Sequence, residues 1–233
     1  MKEEIIGRGV PAERISVVPN VVDVDRFLPR DKDEELIARY GLGSSRVVGY
    51  ISNLGWREGI QYLIEAVALL RADGHDVKGL VAGDGPERDY LDSVVADLGL
   101  EGSFILTGHV PNDTIEDHYA LIDAFVVPRV QDRAARLVTP LKPLEAMAMG
   151  RPVIAADLPA LRELVDPDRR GLVFESEDAR SLATAIERLF GDDELRSAVV
   201  KTARQWVMEE RTLDANARRY AEILGGTLSG AGS

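Results

Sequence analysis

Cysteine is absent from the 233-residue chain, which excludes a disulfide framework, a thiolate nucleophile and a sulfur-based zinc site. Basic residues are few: 28 Lys and Arg stand against 40 Asp and Glu, a net charge of −12. General affinity for a phosphate backbone needs a basic face, so no nucleic-acid partner is expected. No apolar run approaches the ~20 residues of a membrane-spanning helix. The opening MKEEIIGRGV lacks the basic-then-apolar layout of a secretory signal. The expectation is a soluble, acidic, cytoplasmic protein. Its length is enough to bury roughly 70–75 % of the unfolded surface without any cross-link, as one large domain or one domain with appendages.

Short β-branched runs alternate with longer amphipathic stretches. The runs are 15–18, 47–51, 77–81, 104–106, 124–127, 153–155 and 172–174, each bounded by Gly, Pro, Asn or Asp, as buried parallel strands tend to be. Between them apolar residues recur at helical spacing: Tyr62, Leu63, Ala66, Leu69 and Leu70; Tyr90, Leu91, Val94, Val95 and Leu98; Leu182, Ala185, Ile186 and Leu189. Strand-helix alternation predicts an α/β fold, a Rossmann-like doubly wound parallel sheet, with a helical C-terminal region over 179–224. Residues 1–30 read as a leading strand and connector, 31–225 as the sheet domain, and 226–233, small and flexible, as a frayed tail. Gly150, Arg151 and Pro152 end a helix and precede a strand. Pro86 suits the first turn of the next helix.

Open α/β sheets bind ligands beyond the carboxyl ends of their strands, so the loops there carry the candidate site. Loop 52–59 holds Asn53 and two glycines that allow close backbone approach; an ordinary connection is an equal alternative. Gly83-Asp84-Gly85-Pro86 is either a phosphate-cradling nest or a plain tight turn. Gly108-His109-Val110-Pro111 contains a lone histidine with no carboxylate partner in sequence. The stretch 128–150 is the most informative. Thr139 and Pro140 read as the N-cap and first residue of a helix. Pro140 and Pro143 lack amide protons, which leaves Leu141 and Lys142 with the early free donors. Those donors, the positive helix end and the Lys142 side chain make an anion site, and Arg129, Arg133 and Arg136 add three cations just before it. Leu141, Leu144, Met147 and Ala148 share the expected core face. Lys142 and Glu145, on its rim, form either a surface ion pair or a pair placing a cation on phosphate and a carboxylate on sugar hydroxyls. A nucleotide diphosphate fits this pocket; the residues alone name no reaction.

Several phrases, in order, resemble the C-terminal, nucleotide-sugar-binding domain of family 4 (group 1) retaining glycosyltransferases of GT-B fold. They are Val18-Pro19-Asn20-Val21-Val22-Asp23 with Arg26-Phe27 and Pro29; the run 59–66 (GIQYLIEA); Gly83-Asp84-Gly85-Pro86; Gly108-His109-Val110-Pro111; the run 145–155 (EAMAMGRPVIA); and Gly171-Leu172-Val173. The resemblance implies a donor-binding domain that moves a glycosyl group from a nucleotide-diphospho-sugar to an acceptor, in polysaccharide or glycolipid assembly. The donor is a substrate, and no cofactor is implied. By resemblance, Glu145 binds ribose, and Lys142 with Arg129 carries the catalytic charge on the departing diphosphate, assisted by Arg133. The Leu141 and Lys142 amides face phosphate or sugar, backbone at Val110 meets the base, and Thr139, Asn53 and Gly83 line the donor.

Two departures qualify the picture. The family's first, sugar-facing glutamate is missing, Leu137 standing eight positions before Glu145. Its diphosphate-binding Arg and Lys on the first loop fall on Asn53 and Glu58; Lys142 and the arginines are the substitutes on offer. Asp23-Val24-Asp25 has the spacing of a metal motif from the other glycosyltransferase fold, but it precedes the sheet, so no metal is expected. GT-B enzymes carry an N-terminal acceptor domain that has no counterpart here. The chain is therefore expected to be a fragment that binds donor weakly and does not turn over, any membrane contact belonging to the missing domain. Ala217, Tyr220, Ala221 and Leu224 are expected to be uncovered. The alternatives are a GT-B nucleotide-sugar epimerase and a non-catalytic nucleotide-binding or interaction module.

Overall fold

The computed structural model describes residues 1–230. Six strands form one sheet: β1 (Arg46–Ile51), β2 (Val77–Ala82), β3 (Phe104–Leu106), β4 (Ala124–Val127), β5 (Val153–Ala156) and β6 (Leu172–Phe174). Their order is β3-β2-β1-β4-β5-β6, and every pairing is parallel. Helices α1 (Lys2–Ile6) and α2 (Glu34–Arg39) precede the sheet. Within it lie α3 (Ile60–Ala72), α4 (Arg88–Asp97), α5 (Ile115–Leu121), α6 (Arg133–Leu137), α7 (Lys142–Ala148) and α8 (Pro159–Val165). The chain then runs through α9 (Ala179–Gly191), α10 (Asp193–Glu210) and α11 (Leu213–Gly230).

The runs expected from residue 47 onward are the six strands, within one residue at each end. Both faces are covered by helices, so β4 and β5 are buried at every position and need apolar residues throughout rather than alternation. Leu63, Ile64, Leu182, Ile186 and Leu189 are fully buried, each such side chain contributing roughly 1.5–3 kcal/mol. Asp178 and Asp192 start α9 and α10 by accepting the amides of Ser181 and Leu195 at 2.9 and 2.8 Å.

Several expectations need correction. Residues 15–18 form no strand, although their composition suits one; Val17 is 61 % exposed, and the edges of the sheet are β3 and β6. The leading segment instead carries α1 and a 3-10 turn at Ala12–Arg14. Pro86 lies two residues ahead of α4, because the Glu87 amide is drawn to the Leu54 carbonyl at 3.0 Å. Tyr90 and Leu98, expected on the buried stripe of α4, are exposed. Residues 226–230, expected in a frayed tail, continue α11, and 231–233 lie outside the described residues.

Candidate functional site

Strands β1 and β4 are neighbours, but their following connections lead to opposite halves of the sheet. Their carboxyl ends therefore open a crevice between loops 52–59 and 128–141. The loops are stitched together. Gly59 takes φ 64° at the start of α3, and a Cβ there would stand 2.1 Å from the Pro128 carbonyl oxygen; only glycine admits both the backbone and the approach. The Val130 amide donates to the Arg57 carbonyl at 3.0 Å. Arg57 Nε donates to Asp132 at 2.5 Å, while Asp132 accepts the Ala135 amide at 2.6 Å and so caps α6. That amide and the Arg57 guanidinium hold the Asp132 carboxyl below its ordinary pKa.

Four charged side chains gather in this crevice. Arg129 faces Glu58 with a fork, Nη2 at 3.3 Å from one carboxylate oxygen and Nε at 3.4 Å from the other; each side chain is 18 % exposed. Tyr50, wholly buried in β1, donates its hydroxyl to Glu58 at 2.5 Å. Tyr119, wholly buried in α5, donates to Glu145 at 2.5 Å. Both tyrosines pack against Phe125, at ring separations of 5.5 and 5.4 Å, so a shared aromatic floor presents one hydroxyl to each carboxylate. Burial lowers the Lys142 pKa against the pull of Glu58 and Glu145. Burial also raises that of Glu145, against the Tyr119 hydrogen bond and the charges of Lys142 and Arg26. At Arg129 burial opposes the charge, but Tyr50 and Glu58 more than restore it and the pKa stands above its usual value. Both tyrosine hydroxyls are pushed up, chiefly by burial.

The structure thus brings Arg129, Lys142 and Glu145 together, and adds Glu58, Tyr50 and Tyr119. Sequence reasoning registered Glu58 only as a departure. The tyrosines gave no signal beyond a polar tip on an otherwise apolar face. Lys142 and Glu145 make no direct ion pair among the described residues. Arg133 is elsewhere: its side chain is 70 % exposed and paired with Glu4 of α1, because the Asp132 cap starts α6 there. Thr139 is not an N-cap. The Pro143 nitrogen has no proton to give the Thr139 carbonyl four residues back, and Asn20 Nδ2 takes that carbonyl at 2.8 Å. Helix α7 starts instead at Lys142, with Leu141 as its cap residue, its carbonyl accepting the Leu144 amide at 2.8 Å. Leu141, expected in the core, is 46 % exposed, whereas Leu144, Met147 and Ala148 are buried as expected.

Asn53 is exposed on the β1 loop. Gly83, at φ 144°, lies against that loop, where a Cβ would sit 1.7 Å from the Ser52 carbonyl oxygen. Its amide bonds the Gly108 carbonyl at 3.0 Å, which brings Val110, half-buried against the core, to the same end of the sheet. Leu137 and Thr139 line a separate cavity of about 680 Å3, bounded by α1, residues 15–20 and α8. Asp23 is occupied in its own turn, accepting the Asp25 and Arg26 amides at 3.1 Å. Among the described residues no cluster of three His, Asp or Glu side chains is arranged to hold a metal ion, and no helix is long and apolar enough to cross a membrane.

Comparison with known proteins places the chain in a family. The chain is 30 % identical to the alpha-D-kanosaminyltransferase of Streptomyces kanamyceticus over 92 % of its length and 55 % of the relative's. It is 31 % identical to a GDP-mannose-dependent alpha-(1-6)-phosphatidylinositol monomannoside mannosyltransferase of Mycolicibacterium smegmatis, over 93 % of the chain and 57 % of the relative. The chain spans little more than half the length of these curated relatives. Among solved structures, Anabaena HepE in complex with UDP and glucose superimposes with a TM-score of 0.82 at 23 % identity, over 97 % of this chain and 60 % of that one. The C-terminal domain of the group 1 glycosyl transferase LpcC from Francisella tularensis gives 0.70 at 22 % identity, over 82 % of this chain and 99 % of that one. The fold is one half of the GT-B architecture. The sequence matches the family model described as Glycosyl transferases group 1 over residues 45–192, and to that family the chain belongs.

Proposed function

We propose that the chain is the donor-binding part of a glycosyltransferase that takes a glycosyl group from a nucleotide-diphospho-sugar, with the acceptor held by a second domain. The observation that carries the reading is the convergence of Arg129, Lys142 and Glu145 in the crevice between β1 and β4. Arg129 and Lys142 meet the diphosphate, Glu145 accepts from the ribose hydroxyls, and the base lies toward the backbone at Val110. The Leu141 and Lys142 amides add donors, and Asn53 and Gly83 form the wall opposite. Charge grows on the diphosphate oxygens as the glycosidic bond breaks, so cations fixed in a half-buried crevice stabilise the transition state more than the ground state. Transfer with retention of anomeric configuration follows the family resemblance. The isolated chain is proposed to bind donor weakly without turnover.

Ligand-observed NMR against UDP-, GDP- and ADP-sugars tests the reading. One class is expected to show saturation transfer to the wild-type chain and little to Lys142→Ala. No response from any donor, with the chain folded, would overturn it. In an enzyme carrying both domains, Lys142→Ala should lower kcat more than it raises KM; an unchanged kcat would remove Lys142 from the chemistry.

A further inference from the structure

The donor crevice is neutral as it stands. Arg129 and Lys142 contribute two positive charges, Glu58 and Glu145 two negative. Glu58 meets Arg129 as a diphosphate would: it offers two oxygens to the guanidinium fork, the geometry in which a guanidinium also grips phosphate. It also lies close enough to Lys142 to act on its charge. Tyr50 holds it from behind, its buried hydroxyl donating to the carboxylate. A carboxylate held only by surface contacts would yield to an arriving anion at little cost; this one is half-buried and anchored from behind.

We infer that Glu58 is an internal competitor of the diphosphate, occupying the Arg129 fork in the empty site and returning to it as the nucleoside diphosphate departs. The inference rests on the donor-site reading above. A like charge at this range is worth about one pKa unit, or about tenfold in affinity. The site is thereby set for weak binding and ready release. The effect is larger for the free nucleoside diphosphate than for the nucleotide-sugar, which carries one negative charge fewer.

Calorimetric titration of the chain with inorganic pyrophosphate, UDP, GDP and UDP-glucose tests this, using pyrophosphate as the probe that needs no base. Circular dichroism and thermal unfolding establish that each variant is folded. Glu58→Gln is expected to bind pyrophosphate and the preferred nucleoside diphosphate about tenfold more tightly than wild type. Tyr50→Phe, which frees the carboxylate without discharging it, should tighten binding about threefold and serves if Glu58→Gln does not fold. In an Arg129→Ala background the gain from Glu58→Gln should vanish. Diphosphate affinity equal to or weaker than wild type in the folded variants overturns the inference, as does a gain that survives Arg129→Ala. Unchanged UDP affinity with weakened UDP-glucose affinity would make Glu58 a sugar ligand and overturns it too. Binding of no probe by any of the chains overturns the donor-site reading itself, and this inference with it.

Discussion

Burial and the proposed ribose contact pull in opposite directions at Glu145. Its carboxyl holds a proton more tightly in the folded chain than in the unfolded one. Between the ordinary carboxylate pKa and the raised value the native state therefore binds more protons, and stability falls as pH climbs through that window. Glu145→Gln is expected to raise Tm by a few degrees at pH 8, each kcal/mol being worth about 2–4 °C in a chain this size. The gain should shrink toward pH 4, which calorimetry at the two pH values would show. The same substitution should weaken nucleoside diphosphate binding about tenfold or more, as expected when a charged acceptor is lost. A variant that gains stability while keeping full affinity would separate Glu145 from the ribose.

At the level of elements, the glycines between strands decide whether the crevice walls meet. Gly83→Ala combines a left-handed φ with a Cβ driven into the Ser52 carbonyl, whereas Gly99, at φ 64°, has nothing within 4 Å of its would-be Cβ. Urea unfolding should place Gly99→Ala about 1 kcal/mol below wild type and Gly83→Ala about 3 kcal/mol or more below it. Equal losses would mean that backbone strain alone matters. This loop packing was invisible in sequence, where Gly83-Asp84-Gly85 read more readily as a plain turn than as a phosphate nest. The strands were legible because a sheet covered on both faces demands unbroken apolar runs. Residues 15–18 have the same composition yet lie outside the sheet, with Val17 exposed. The start of α7 was misplaced because Thr139 satisfies the rules for a cap, while the obstacle, a missing proton on Pro143, lies four residues on. Arg129, Lys142 and Glu145 could be read from the sequence as a group, since they share one loop-helix segment. The contacts of Glu58 with Arg129 and of Tyr119 with Glu145 bridge separate segments, and local spacing carries no trace of them.

For the molecule as a whole, α11 leaves an apolar stripe uncovered. Leu213, Ala217, Tyr220, Ala221 and Leu224 are all exposed, while Ala215 on the opposite face is buried and Asn216, on the flank of the stripe, donates from Nδ2 to the Pro19 carbonyl at 2.7 Å. Replacing Leu213, Tyr220 and Leu224 together by Ser should leave Tm within about 6 °C, since surface changes of this kind are each worth about 0.5 kcal/mol or less. A larger drop would show that the stripe is packed in solution, with sedimentation velocity reporting whether a second copy covers it.

The stitching of loop 52–59 to loop 128–141 has a practical corollary for anyone recombining such enzymes. A transplant of the cation-bearing segment alone would arrive without the Gly59 hollow that receives Pro128 and the Arg57 backbone that tethers Val130. The two stretches, some seventy residues apart in the chain, pack as one unit, and a crossover between homologues should keep the crevice walls in place only when both are exchanged together.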